Sequence, residues 1–246
     1  MRTVILHRRQ VFQGPLLVIN RDHPLRSAPV DLAAPDQRHP DILLERRTAR
    51  LLAACVQAVG GEAEIVPVSG WRSQAEQQAI WDGSLAESGA DFTRKYVALP
   101  GCSEHQSGLA VDLGKAAGHI DFIRPAFPYD GVCGAFRRAA AKYGFIERYR
   151  AGKEPVTGIA PEPWHFRYVG TPHALLMNAN GLCLEEYPDF LRQKPRRCPL
   201  PGGQMAQAFY VPCAGEETEA ALPEGCCQIS GDNIGGFIVT AWGWPA

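Results

Sequence analysis

The sequence has no long apolar run, no surplus of either charge and no paired-cysteine motif, and each absence removes a class of function. Nowhere does it approach the ~20 consecutive apolar residues of a membrane-spanning helix. The apolar stretch within Met1–Arg9 is too short for a secretion signal, so the chain is expected to stay in the cytoplasm. A formal net charge of -1 leaves no basic footprint for nucleic acid or an anionic membrane. The basic cluster between Arg192 and Arg197 reads as a solvated linker. Cysteines stand at 55, 102, 133, 183, 198, 213, 226 and 227, and no two form Cys-x-x-Cys, which argues against a thiolate metal site or a redox motif. Without an export signal they are expected to be free thiols. No sequence feature specifies an oligomeric state.

What is present is ordinary for a folded protein: 246 residues, 46% hydrophobic and 21% charged. Residues 1–40 read as an extended arm with one strand at Leu16–Ile19. A helix is expected from Asp41 to Gly60, its apolar face including Leu52 and Cys55. Ile65–Val68 reads as a strand that Pro67 confines to an edge. Ser73 and Glu76 have the spacing of a capping box, so a helix starts directly after Arg72. A separate helix is expected over Leu85–Val97, a strand over Leu109–Leu113, and a helix over Asp130–Tyr143 that Gly144 ends. Cys133 falls on the apolar face of that helix, and Cys102 reads as a loop residue. Phe145–Tyr149 and Trp164–Val169 read as strands, and 172–179 and 182–193 as helices. The prolines and glycines after position 194 suggest a boundary. The expected organisation is therefore a catalytic domain over 1–194, a linker over 195–205 and a β extension over 206–246 packed on that domain. The fold class is α+β: a small antiparallel sheet flanked by helices and carrying a metal site, with a C-terminal β extension.

Three segments hold the chemistry: Ser69-Gly70-Trp71-Arg72-Ser73, Ser103 to Asp112, and Glu162-Pro163-Trp164-His165. His105, Asp112 and His165 supply two imidazoles and a carboxylate, a set that suits a catalytic zinc with its fourth position open. Glu162, three residues before His165 and stiffened between Pro161 and Pro163, is placed to take a proton from water. Because its backbone is held extended, this is not the helical His-Glu-x-x-His arrangement. Arg72 is a permanently charged donor for a developing oxyanion. His7, His23, His39, His119 and His173 have no such company and read as satisfied structural or surface histidines.

With these residues laid out, the chain resembles the zinc D-Ala-D-Ala peptidases, which comprise VanY-type D,D-carboxypeptidases, VanX dipeptidases and bifunctional VanXY enzymes. The match runs over roughly residues 65–170 and more loosely to about 193. The C-terminal β piece resembles the extension of the longer VanXY-type members found with vancomycin resistance. The resemblance implies Zn2+ on His105, Asp112 and His165, Glu162 as general base and then acid, and Arg72 on the scissile carbonyl. It implies substrate contacts from Ser103, Gln77, Ser69, Trp71 and Trp164. The partners it implies are peptidoglycan precursor peptides ending in D-Ala-D-Ala.

Two departures bear on specificity. Trp71 stands where the family usually has Tyr, which keeps an aromatic wall and loses a hydroxyl. Ser69 stands where dipeptidase members have an Asp that pairs with the free ammonium of the dipeptide. A hydroxyl compensates a desolvated ammonium poorly, so carboxypeptidase activity is expected to exceed dipeptidase activity. An L,D-carboxypeptidase or wall-recycling peptidase of the same superfamily, and a non-catalytic zinc-binding module, stay open as alternatives.

Overall fold

The computed structural model describes residues 1–27, 31–200 and 202–244. Along the chain, β1 (Arg2–His7) precedes the short strands β2 (Leu32–Ala33) and β3 (Leu44–Glu45). Next come α1 (Arg46–Ala58), β4 (Ile65–Ser69), α2 (Gln74–Tyr96) and β5 (Ala110–Lys115). α3 (Gly131–Ala140), β6 (Phe145–Tyr149), α4 (Glu154–Thr157) and β7 (Glu162–Tyr168) follow. The remainder is α5 (Thr171–Ala179), α6 (Tyr187–Gln193), β8 (Arg196–Pro199), β9 (Met205–Pro212), β10 (Glu217–Leu222), β11 (Cys227–Gly231) and β12 (Gly236–Trp244). The fold is α+β with antiparallel sheets.

Two compact units divide the chain: Ile19–Thr171, and Met1–Val18 together with Pro172–Ala246. This division differs from the one expected at 194/206. β1 pairs antiparallel with β10 over its whole length, from Arg2 opposite Leu222 to His7 opposite Glu217. The N-terminal arm is therefore a strand of the C-terminal unit. The stretch expected to be a linker contains β8, which pairs with β9. Pro199 is tolerated because β8 is the edge of the sheet β11-β12-β9-β8, where an absent N–H costs little. Position 201 of that stretch and positions 245–246 of the extension lie outside the described residues.

The unit Ile19–Thr171 is built on the antiparallel sheet β4-β5-β7-β6, with β4 on the edge as Pro67 dictates. Its core joins α1 (Ala49, Leu52, Cys55), α3 (Cys133, Phe136, Ala140) and the sheet (Val111, Leu113, Phe166). Phe166 meets Phe127 and Phe136 edge-on, with ring centroids 5.5 and 5.1 Å apart, an arrangement that fixes the back of β7. α1 starts later than Asp41 because Leu44–Glu45 pairs with Leu32–Ala33. Glu45 then caps the helix by accepting from the backbone N–H groups of Arg47 and Thr48 at 3.1 and 2.9 Å. The Ser73–Glu76 capping box is present in both directions, at 3.2 and 2.7 Å. The two helices expected over 74–97 form one element kinked at Gly89, whose φ is 78°. α3 ends in a 3-10 turn closed by Gly144 in the left-handed region.

In the other unit, Leu6, Val11, Leu222, Phe237 and Val239 form a separate core. Leu16–Val18 here, and Ile19 at the start of the unit Ile19–Thr171, are buried but form no strand; the chain turns at Pro15–Leu16. The turn between β11 and β12 is held by Asp232, whose Oδ1 accepts from the backbone N–H groups of Ile234, Gly235 and Gly236 at 2.8–3.0 Å.

Candidate metal centre and active site

Register brings the site together. Asp112 on β5 lies opposite Ser69 on β4 and opposite His165 on β7, so three neighbouring strands present one row. His105 arrives from a 3-10 turn over Glu104–Ser107, which Gly108 closes at φ 71°. A side chain on Gly108 would also stand 2.9 Å from the backbone nitrogen of Glu45. Gly70 has a similar constraint: a Cβ there would collide with the carbonyl of Leu43. That close approach leaves the Gly70 carbonyl free to accept from His105 Nδ1 at 2.7 Å.

The Gly70 contact places the His105 proton on Nδ1 and leaves Nε2 as a lone pair, 3.1 Å from Asp112 Oδ2. His165 Nδ1 lies 2.8 Å from Asp112 Oδ1. One ligand-type atom from each of His105, Asp112 and His165 falls within 4.8 Å of the others, and all three residues are buried. Two ligands each ~2.0–2.1 Å from one ion can stand no more than about 4.2 Å apart, and the contacts of each imidazole with Asp112 satisfy that. Two imidazoles and a carboxylate are also a donor set that suits a divalent cation.

The surrounding charges point the same way. Burial pushes the Glu162 carboxyl up to about 8; Asp112 and Glu104 add to the rise, and His165 and Arg72 oppose it. Burial also opposes a charge on His165, but the facing carboxylates of Asp112 and Glu104 outweigh it and hold the imidazolium up to about 9. A cluster that retains a proton on a buried histidine and on a buried glutamic acid is one that a cation would relieve.

Glu162 opens β7, and its Oε2 lies 3.8 Å from His165 Nδ1. Arg72, at the junction of β4 and α2, donates from Nε and Nη2 to Ser69 Oγ at 3.0 and 2.8 Å. It also reaches Gln77 Oε1 at 3.3 Å and Asp112 Oδ2 at 3.2 Å. Gln77 is anchored in turn by donating to the Ala98 carbonyl at 2.9 Å. A pocket of about 50 Å³ opens over these groups, with Arg72, Gln77, Ser103, Glu162 and Trp164 in its wall beside the three ligand-type residues. Ser69 and Trp71 do not line it. The Ser69 hydroxyl serves Arg72 from behind, and the Trp71 backbone N–H donates to Leu43.

Sequence reasoning left four buried residues without a role. Tyr149 lines the pocket and packs on His165 with ring centroids 5.0 Å apart. Glu104 is wholly buried and accepts on Oε1 from Arg148 Nε at 2.8 Å and Arg167 Nη1 at 2.6 Å. Burial opposes its charge, but the two guanidiniums win and hold the carboxyl well below the usual range. An acid inside the Ser103–Asp112 motif was the available signal for Glu104. Arg148 and Arg167 gave none, since an arginine in a strand reads as solvent-facing.

No helix among the described residues is long and apolar enough to cross a membrane. The family model for VanY, D-alanyl-D-alanine carboxypeptidase, matches residues 41–171. The bifunctional D-Ala-D-Ala dipeptidase and D-Ala-D-Ala carboxypeptidase VanXYC of Enterococcus gallinarum is 43% identical over 186 residues, 74% of this chain and 97% of that one. The crystal structure of the vancomycin resistance D,D-dipeptidase VanXYg with a D-Ala-D-Ala phosphinate analogue matches with a TM-score of 0.95 and 48% identity, covering 98% of each chain. The D,D-pentapeptidase VanY from a VanB-type resistance cassette, solved as a point mutant in complex with Zn(II), matches with a TM-score of 0.59 and 30% identity, covering 70% of this chain and 98% of that one. The chain belongs to the VanY family of D-alanyl-D-alanine carboxypeptidases.

Proposed function

We propose that this protein is a zinc-dependent D,D-carboxypeptidase that removes the terminal D-Ala from peptidoglycan precursors ending in D-Ala-D-Ala. The observation that carries the reading is the convergence of His105, Asp112 and His165 beside Glu162 and Arg72 in one pocket. A purely structural metal site needs neither a spare buried carboxylate nor a guanidinium on its rim. Zinc is the metal proposed, from the two-imidazole, one-carboxylate donor set and from the Zn(II) complex of the similar VanY. Held by these three residues, it would supply Lewis acidity toward water and the scissile carbonyl.

The chain's own residues then divide the proton and charge work. Glu162 takes a proton from the attacking water, whose oxygen bonds to the carbonyl carbon of the penultimate D-Ala. Arg72, braced by Ser69 and Gln77, donates to the oxygen that becomes negative. Glu162 returns the proton to the D-Ala nitrogen as the C–N bond breaks. Ser103, Gln77 and Trp164 form the wall against which the peptide lies.

A second reading concerns the free dipeptide. The names of the similar VanXYC and VanXYg include dipeptidase activity, which favours a bifunctional enzyme. Against it, the carboxylates in the pocket wall are Glu104, Asp112 and Glu162. Each has a task or buried partners, which leaves none to receive a free ammonium. We favour carboxypeptidase as the stronger activity, in the cytoplasm and acting in glycopeptide resistance. Eight free thiols support a reducing compartment. D-Ala release from the zinc-loaded protein, measured in parallel on a muramyl pentapeptide and on free D-Ala-D-Ala, tests both readings. A higher kcat/KM on the pentapeptide is expected; a higher value on the dipeptide would overturn the preference, and no release from either would overturn the D,D assignment.

A further inference from the structure

We propose that Glu104 is a positioning residue that selects the tautomer of His165 and thereby makes it a metal ligand; this rests on the metal-site reading above. The ring of His165 faces two acceptors on opposite sides. Its Nδ1 points into the site, 2.8 Å from Asp112 Oδ1. Its Nε2 points away, 3.5 Å from Glu104 Oε2. That distance is too long for a hydrogen bond, and both atoms are buried with no other partner among the described residues. Two buried unpaired atoms of complementary kind, facing each other, are the open end of a network that closes when they approach by about half an ångström.

The need for such a partner follows from valence. For Nδ1 to offer its lone pair to a cation, the ring proton has to sit on Nε2, and there it requires an acceptor. His105 solves the mirror-image problem with the Gly70 carbonyl on its Nδ1. For His165 the acceptor is a carboxylate, which holds the proton more firmly and makes the opposite nitrogen a better donor to metal. Arg148 and Arg167 complete the device. Both are fully buried and both grip the same oxygen, Oε1, so Oε2 is left over and its direction is fixed. A carboxylate needed only to neutralise the two arginines would have no reason to aim its second oxygen at an imidazole nitrogen.

Glu104→Gln tests this. Its carbonyl oxygen stays with the two guanidiniums, because turning the amide round would set its NH2 against both. The NH2 then faces His165 Nε2, donor against donor, and the ring proton is driven to Nδ1. Zinc affinity, read by chelator competition, is expected to fall about 10–100-fold. In the zinc-loaded protein the downfield proton resonance of His165 Nε2–H is expected to be lost. Unchanged affinity together with an unchanged resonance would overturn the proposal. If Glu104→Gln does not fold, Glu104→Asp decides: it keeps the charge for the arginines but withdraws the carboxylate from Nε2. It too should bind zinc more weakly, and wild-type affinity in a folded Glu104→Asp protein would overturn the proposal. A His165→Ala control separates the two failures. If that variant binds zinc like the wild type, the metal-site reading itself falls; if it loses zinc while both Glu104 variants bind normally, only the role of Glu104 falls.

Discussion

His165 in the unit Ile19–Thr171 and His173 in the other unit are both buried histidines on core elements, and they differ in what their two nitrogens face. His173 on α5 has Nδ1 2.8 Å from the Tyr187 hydroxyl and Nε2 2.8 Å from the Thr240 hydroxyl. Both partners are neutral, both nitrogens are satisfied, and burial pushes the imidazole down to about 3. His165 is flanked by carboxylates, Asp112 and Glu162 on the Nδ1 side and Glu104 on the Nε2 side. One of its nitrogens lacks a hydrogen bond, and its charged form is favoured. Burial alone does not separate a structural histidine from a ligand. The sign of the surrounding charge and the number of unmet hydrogen bonds mark the difference: the cluster around His173 is closed, whereas the cluster around His165 is rich in carboxylates and keeps an unmet nitrogen, as the proposed ligand role would have it.

The sharpest break of that comparison is on the side prepared for chemistry. Glu162→Gln removes the proton acceptor and keeps the shape. Turnover is expected to fall about 10²–10⁴-fold while zinc content, measured on the purified protein, stays at the wild-type level. Loss of zinc in that variant would make Glu162 part of the binding set instead. Arg72→Ala comes next. Removal of one oxyanion donor is worth about 10²–10³ in kcat, again with zinc retained, since Arg72 supplies none of the three proposed ligands and touches the set through one hydrogen bond to Asp112 at 3.2 Å. Near-normal kcat would take Arg72 out of the oxyanion role and leave it as a brace for Asp112.

Much of this site was legible because its residue types are costly to place anywhere else. His105, Asp112, His165, Glu162 and Arg72 share short motifs with glycine and proline, and the structure brings all five to one pocket. Ser69 and Trp71 were read from the same motif as substrate contacts, yet neither lines the pocket. The Ser69 hydroxyl is taken up by Arg72, and Trp71 lies past the end of β4 with its backbone N–H on Leu43; a motif specifies which residues travel together in sequence but not which of them line the cavity. The fold was legible where local rules dominate, as at the Ser73 cap, Pro67 on an edge strand and Gly144 at the end of α3. It was not legible where pairing is long-range. Nothing in Arg2–His7 announces a partner more than 200 residues away in β10, and a proline-containing stretch such as Arg196–Pro199 looks like a linker until β9 pairs with it. The Glu104–Arg148–Arg167 cluster escaped for the same reason, since its charges are rational only in relation to each other.

The mildest test falls on the closed cluster. His173 titrates at about 3 in the folded chain, against ~6.5 for an unperturbed histidine. Between those values the unfolded chain binds more protons than the folded one. The contribution is therefore fully present above about pH 6.5 and is lost as pH falls toward 3. At ~1.36 kcal/mol per unit the whole window is worth on the order of 5 kcal/mol. His173→Gln removes the titration and leaves a polar side chain between Tyr187 and Thr240. At pH 7 its stability should fall by about 1–2 kcal/mol, the usual scale for a disturbed buried hydrogen bond, with zinc affinity and turnover unchanged. Urea unfolding between pH 7 and 4 should then show a shallower loss of stability than in the wild type. If the two pH profiles run parallel, some other group accounts for the acid sensitivity. If zinc binding weakens instead, the two histidine clusters are coupled and the distinction between a closed and an open cluster does not hold for this molecule.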